Sequence, residues 1–302
     1  MDITKAFIKA KQPCADGFRW YVRNARQDSS YQELLDALVA AGRVQDACWL
    51  LDQFGPTDAV LELDTLDCGD LVFAGTLRVR HGIDVDGTLR TGRGIQAGAG
   101  IRAGTALAAG GDVACEAALA CDGPVSVRGL LRAGWNIQVR DTLECEELKA
   151  GWDLDCTGPV RVRGQARVGQ HLHAGAGMHC DKGLRAGGDI LCEADLSTRH
   201  GVECGALLRC AGHVTAGWGI RARAGLHAAG AIRAGESLWT EGRIVAGEGY
   251  GIFAGLNVPA HAWESSARVQ ARSRPAGLRS GWWAGPAGGP ACEPCELACH
   301  AD

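Results

Sequence analysis

The densest group of potential metal ligands lies near the C-terminus. Cys292-Glu-Pro-Cys295-Glu-Leu-Ala-Cys299-His300 puts four soft donors within nine residues. The Cys-x-x-Cys half has the spacing of a zinc site. Cys299 and His300 are adjacent, which is awkward for one tetrahedral ion, and no second Cys-x-x-Cys is present. Zinc, a redox or intermolecular disulfide, and a tail without fixed chemistry all stay open. The histidines are scattered: His81, His171, His173, His179, His200, His213, His227, His261 and His300. A general base for acyl transfer would be sought in His173 or His179, within one stretch of the chain. No phosphate-cradling GxxxxGK[ST], zincin HExxH or nucleophile-elbow GxSxG is present. The 31 basic and 35 acidic residues leave a net charge of -4, so nothing global calls for nucleic acid or an anionic membrane. No apolar run reaches transmembrane length, and Met1-Asp-Ile-Thr-Lys lacks a signal-peptide core. The expectation is a soluble cytoplasmic protein.

What positions these residues is a repeat. From Leu77 to Tyr250 an aliphatic anchor recurs every sixth residue, with one five-residue step from Leu143 to Leu148. Of thirty anchors, twenty-seven are Leu, Ile or Val, the exceptions being Ala166, Met178 and Tyr250. Two residues after each anchor sits Ala, Cys, Val or Thr, except Ile252 in the last unit. A helix of period 3.6 cannot keep a six-residue period on one face, whereas a strand points residues i and i+2 the same way. Each unit therefore reads as a short strand followed by a corner rich in Gly, Asp and Asn. Three units make a triangular coil of about eighteen residues, and ten coils stacked at the parallel-strand spacing predict a rod roughly 50 Å long. The fold class is mainly β, a triangular parallel β-solenoid. Nine of the 14 cysteines (Cys68, Cys115, Cys121, Cys145, Cys156, Cys180, Cys192, Cys204, Cys210) fall at the small inward position, where they read as packed, reduced thiols.

Residues 1–57 lack the period. Ser29-Ser30-Tyr31-Gln32-Glu33 carries Ser three before Gln or Glu, a capping-box spacing, followed by Leu34, Leu35, Leu38 and Val39 at helical intervals and Gly42 as a stop. A second helix runs through Trp49 to Phe54-Gly55-Pro56, and two more are expected around Lys5 to Lys11 and Ala15 to Asn24. This gives an N-terminal helical domain (1–57), a solenoid (58–256), an aromatic-rich C-terminal cap (257–284) and a Gly/Pro/Cys tail (285–302). Both flanks suit the covering of solenoid ends, which otherwise expose unpaired strands.

The stretch Val125-Ser-Val-Arg-Gly-Leu-Leu-Arg-Ala-Gly-Trp-Asn-Ile137-Gln-Val resembles the bactofilin-type β-helix in its repeat grammar, over roughly residues 61–256. The resemblance implies a right-handed triangular solenoid that polymerises end to end. The helical N-terminal segment and the aromatic ends depart from that pattern. The left-handed hexapeptide acyltransferases place their small residue two before the aliphatic, the reverse of the order here.

In the eighteen-residue register one outward row reads Arg132, Lys149, Arg167, Arg185, Glu203, Arg221. A glycine strip runs beside it, with Trp135 and Trp152 as neighbours in successive coils. Such a face reads as a solvated edge, since Asn136, Asp153 and Asp189 in the next row offset the cations, or as a surface for an acidic protein partner, a phosphate-bearing ligand or, less well, nucleic acid. The expected function is a non-enzymatic scaffold or protein-interaction rod. The alternatives are a bactofilin-like filament subunit and a hexapeptide-repeat acyltransferase.

Overall fold

The computed structural model describes residues 5–24 and 30–287. The C-terminal donors Cys292, Cys295, Cys299 and His300 lie outside them. The chain divides into two compact units, Met1–Val162 and Arg163–Asp302.

The first unit begins with four helices: α1 (Lys5–Ala10), α2 (Ala15–Asn24), α3 (Tyr31–Ala40) and α4 (Val44–Phe54). Of the two capping-box pairs the sequence offers, Ser30 and Glu33 form the one on α3, Ser30 Oγ accepting the Glu33 N–H at 3.3 Å and Glu33 Oε2 accepting the Ser30 N–H at 2.7 Å. Gly42, at φ 68°, ends that helix in the left-handed region, where a Cβ would be strained. The buried faces of α3 and α4 (Leu34, Leu35, Leu38, Ala47, Leu50, Leu51) form one cluster with Val72 and Ala74 of the first coil. Gln32 fastens the junction. Its amide nitrogen donates to Val72 O and its amide oxygen accepts from Ala74 N, each at 2.9 Å. One side chain thus supplies the hydrogen bonds a neighbouring strand would have made to that edge.

The remainder of the first unit is a parallel β-solenoid with three strands per coil. On the first face Val60–Leu63, Thr76–Val79, Ile95–Ala97 and Val113–Cys115 stack in register, Leu77 opposite Ile95 and Ile95 opposite Val113. The second face stacks Leu66–Cys68, Ile83–Val85, Ile101–Ala103, Leu119–Cys121, Ile137–Val139 and Leu154–Cys156. The third stacks Leu71–Phe73, Thr88–Thr91 and Ala106–Ala109. Anchor and small residue point inward: Leu107, Leu119 and Cys115 are fully buried, while the residue between them faces outward. The short step from Leu143 to Leu148 is absorbed where two strands, Val125–Ala133 and Leu143–Ala150, run on through a corner. Their register shifts between Val127 and Leu130, and normal stacking resumes at Leu131 opposite Leu148.

The second unit repeats the plan. Its first face stacks Ala166–Val168, Leu184–Ala186, Val202–Cys204, Ile220–Ala222 and Leu238–Trp239. The repeat ends differently from its expectation. Tyr250, counted as an anchor, is 51% exposed, and Ile252, 1% exposed, fills that row opposite Ile232. Two extra residues enter the turn at Gly249, which has φ 78°, and push the tyrosine out. Beyond Leu256 the spacing is lost but pairing is not. Val269 stacks on Leu238 and Trp283 on Val269. The intervening loop holds a 3-10 turn (Ala260–Ala262) and one helical turn (Trp263–Ser266).

Candidate binding face

Corner geometry decides which side chains project. At the corner after the first face, a Cβ on Gly151 would lie 1.8 Å from Gly134 O. Gly134, Gly187 and Gly205 meet the carbonyl of the coil below as closely, at 1.9 to 2.1 Å. The glycine strip is therefore a steric requirement of close-stacked corners. The next residue is unconstrained and points outward. That residue is Trp135 in one coil and Trp152 in the next, their backbones joined by Trp152 N donating to Trp135 O at 3.1 Å. Each indole is 61% exposed.

The outward row of the first unit runs Glu62, Arg78, Gln96, Ala114, Arg132, Lys149. It is less basic than its last members suggest. Arg78 pairs with Glu62 at 3.4 Å and Arg132 with Glu116 at 3.5 Å, while Lys149 is exposed. The predicted group Arg132, Lys149, Trp135 and Trp152 does come together, on one corner and the strand edge beside it.

The second unit has an outward row of its own: Arg167, Arg185, Glu203, Arg221 and Trp239. Here it is a concave, mixed-charge surface. Arg167 donates to Gln165 Oε1 at 2.9 Å, and Arg185 lies 3.4 Å from Glu203. The Arg221 guanidinium sits 4.3 Å above the Trp239 ring. At the neighbouring corner Trp218 stacks on His200, 4.1 Å between centroids and 5° from parallel. Stepping the row once more past Arg221 reaches Trp239, so the register contained that signal. Arg268 and Gln270, on the next strand, were hidden because their strand follows the irregular loop.

Two histidines and several cysteines serve to tie the corners together. His171 Nδ1 accepts from Asp189 N at 3.2 Å and His213 Nδ1 from Ala231 N at 2.9 Å, continuing ladders in which Asp189 and Asp195 accept from Leu207 N and His213 N. His179 lies in an outward row of the third face, half-buried, with Nδ1 2.7 Å from Ser197 Oγ and Nε2 3.3 Å from Asp181. The eight deeper solenoid cysteines are buried and Cys68 is half-buried; all are free thiols. Several donate to a corner carbonyl of the preceding coil: Cys156 to Asp141 O at 3.1 Å, Cys192 to Ala176 O at 3.2 Å, Cys204 to Gly188 O at 3.3 Å. Burial pushes the Cys115 and Cys156 thiols up to about 11 and Cys180 up to about 12. A hydrogen bond with Cys192, added to burial, holds Cys210 well above the ordinary thiol range.

Among known families, residues 1–54 match the model of the YdhT N-terminal domain, which covers the helical segment and no part of the solenoid. No curated protein and no solved structure matches the chain.

Proposed function

We propose that this chain is a non-enzymatic interaction scaffold, and that the corner bearing Trp135 and Trp152 is where it contacts an acidic protein surface. The observation that carries the reading is two adjacent indoles, each 61% exposed, on a hydrogen-bonded backbone corner. Tryptophan and arginine dominate interface energetics, and a ladder-fixed backbone loses little freedom on binding. Lys149 and Arg132 beside the indoles add cationic character, which speeds encounter with an acidic partner more than it tightens the complex. The eleven free cysteines among the described residues suit a reducing compartment such as the cytoplasm. The test is quantitative affinity capture with wild type and a Trp135→Ala/Trp152→Ala double variant. A partner recovered by wild type and lost with the double variant sustains the reading; equal recovery sinks it.

A second reading, a self-associating, bactofilin-like filament subunit, is supported by the first coil. Its interior residues Leu61, Leu66 and Leu71 are only half-buried, and Val60 is 47% exposed. Another copy would gain apolar burial there. Negative-stain microscopy of full-length protein at micromolar concentration separates the readings: filaments favour the second, single particles the first.

A further inference from the structure

The second unit carries a cleft whose chemistry differs from that of the Trp135 corner. It occupies about 510 Å³ and is lined by Glu203, Trp218, Arg221, Glu236, Trp239 and Arg268, among others. Two neighbouring concavities, of about 440 Å³ and about 270 Å³, also border Glu203. Glu203 is thus common to all three. The main cleft has the size usual for small-ligand sites. Gly201 and Gly219 in its lining carry no side chains and leave room at that corner.

Two aromatic surfaces border it. Trp218 is 51% exposed and held on its other side by the stacked His200 ring. Trp239 is oriented by the Arg221 guanidinium over its ring. Around these stand forked polar groups: the carboxylates of Glu203 and Glu236, the guanidiniums of Arg221 and Arg268, and the amide of Gln270. Arg268 Nε is the one buried side-chain nitrogen or oxygen without a hydrogen-bond partner among the described residues. Such an orphan is costly unless something else completes it. Arg268 is itself part of the cleft lining.

Interleaved donors and acceptors beside indole faces match one ligand class better than others. Glu203 and Glu236 would repel a phosphate backbone, which disfavours nucleic acid. A sugar ring presents an apolar C–H face to an indole and vicinal hydroxyls that both accept and donate, which carboxylates and guanidiniums can engage two at a time. Three concavities that share Glu203 offer room for several residues of a linear chain. We propose that this cleft binds an oligosaccharide, with Trp218 and Trp239 as stacking platforms and Glu203, Arg221 and Arg268 engaging hydroxyl or carboxylate oxygens. The inference does not rest on the protein-partner reading, because the two sites share no residue.

The test is isothermal titration of the full-length chain with cellohexaose, chitohexaose and hexagalacturonate. Saturable binding of at least one is expected, and whether the neutral or uronate chains win tells which source of oxygens the arginines read. Trp218→Ala, Trp239→Ala and Glu203→Gln should each weaken binding about tenfold, the scale of one stacked ring or one charge-assisted pair. Trp135→Ala should leave it unchanged, and thermal melts confirm folding of each variant. Should an alanine variant fail to fold, Glu203→Gln and the wild-type titration still decide. Absence of saturable binding by all three oligosaccharides overturns the proposal, as does binding that Trp135→Ala weakens as much as the cleft variants do.

Discussion

At the scale of single residues, the small inward position is the most informative. Ala, Cys, Val and Thr alternate there, which reads as volume alone, yet the structure adds a second property. Thr91, Thr198 and several cysteines each donate to a corner carbonyl: Thr91 Oγ1 to Arg93 O at 2.8 Å, Thr198 Oγ1 to His200 O at 2.9 Å, Cys156 Sγ to Asp141 O at 3.1 Å. Donor capacity cannot be read from a position that Ala also occupies. Cys156→Ala should therefore cost about 1 kcal/mol, the net worth of one weak hydrogen bond and a small void. Leu154→Ala, which empties a fully packed anchor, should cost about 2–5 kcal/mol; urea titration of both checks the ratio. The raised thiols predict a pH dependence with a definite sign. Folded Cys115, Cys156 and Cys180 keep their protons to about 11, 11 and 12, whereas unfolded thiols lose theirs near 9. The unfolded state thus releases protons first. Stability is complete below the ordinary thiol range and falls as pH rises from about 9 towards 12. Urea midpoints at pH 8 and pH 11, compared between wild type and a variant with these three cysteines changed to Ala, should show a smaller alkaline drop in the variant.

At the scale of elements, the strands follow from the hexapeptide spacing, but the corners obey steric rules that spacing alone does not express. Gly151 and Gly82 are both corner glycines, yet their surroundings differ. A Cβ on Gly151 would penetrate Gly134 O at 1.8 Å, while one on Gly82 would meet nothing closer than 3.7 Å. Gly151→Ala should therefore destabilise by about 1–3 kcal/mol, since backbone must move, and Gly82→Ala should be close to neutral; thermal melts of the pair test this. The same reasoning marks where sequence legibility ends. The period predicted the three-stranded coil and the outward neighbours within each unit, Arg132 beside Lys149 in the first and Arg167 to Arg221 in the second, because alternation fixes inside and outside over every regular repeat. It placed Tyr250 inside, because a two-residue insertion at a positive-φ glycine leaves no trace in a count of sixes. It missed Arg268 and Gln270 as members of the cleft, because a loop with two helical turns carries no register. It overstated the basic ladder, because Glu116, which pairs with Arg132, comes from another position of the repeat, and Glu203, inside the row, pairs with Arg185.

At the scale of the whole molecule, the question is what keeps a stack of parallel strands from recruiting more of them. In the first unit the answer is local and unequal. Helices α3 and α4 cover Val72 and Ala74, which are 1% exposed, and Gln32 satisfies the backbone between them, but Leu61 and Leu66 of the same coil stay half-buried. Protection against edge pairing is thus concentrated on one face of the coil, and on one amide. Replacing Gln32 by Glu keeps the acceptor for Ala74 N and removes the donor to Val72 O, setting a carboxylate oxygen against a carbonyl. This should lower stability by about 1–3 kcal/mol, the cost of an unsatisfied, part-buried acceptor with added repulsion. Removing residues 1–54 goes further. It uncovers Val72, Ala74 and the strand edge at Leu71–Phe73 in addition to the already half-open Leu61 and Leu66, so the first coil becomes an unprotected parallel template. Size-exclusion chromatography with light scattering should then show concentration-dependent association of the truncated chain where the full chain stays discrete. If the truncated chain stays as discrete as the full one, the helices do not serve as an edge cover, and the surface of α1 to α4 would have to be explained by a partner of its own.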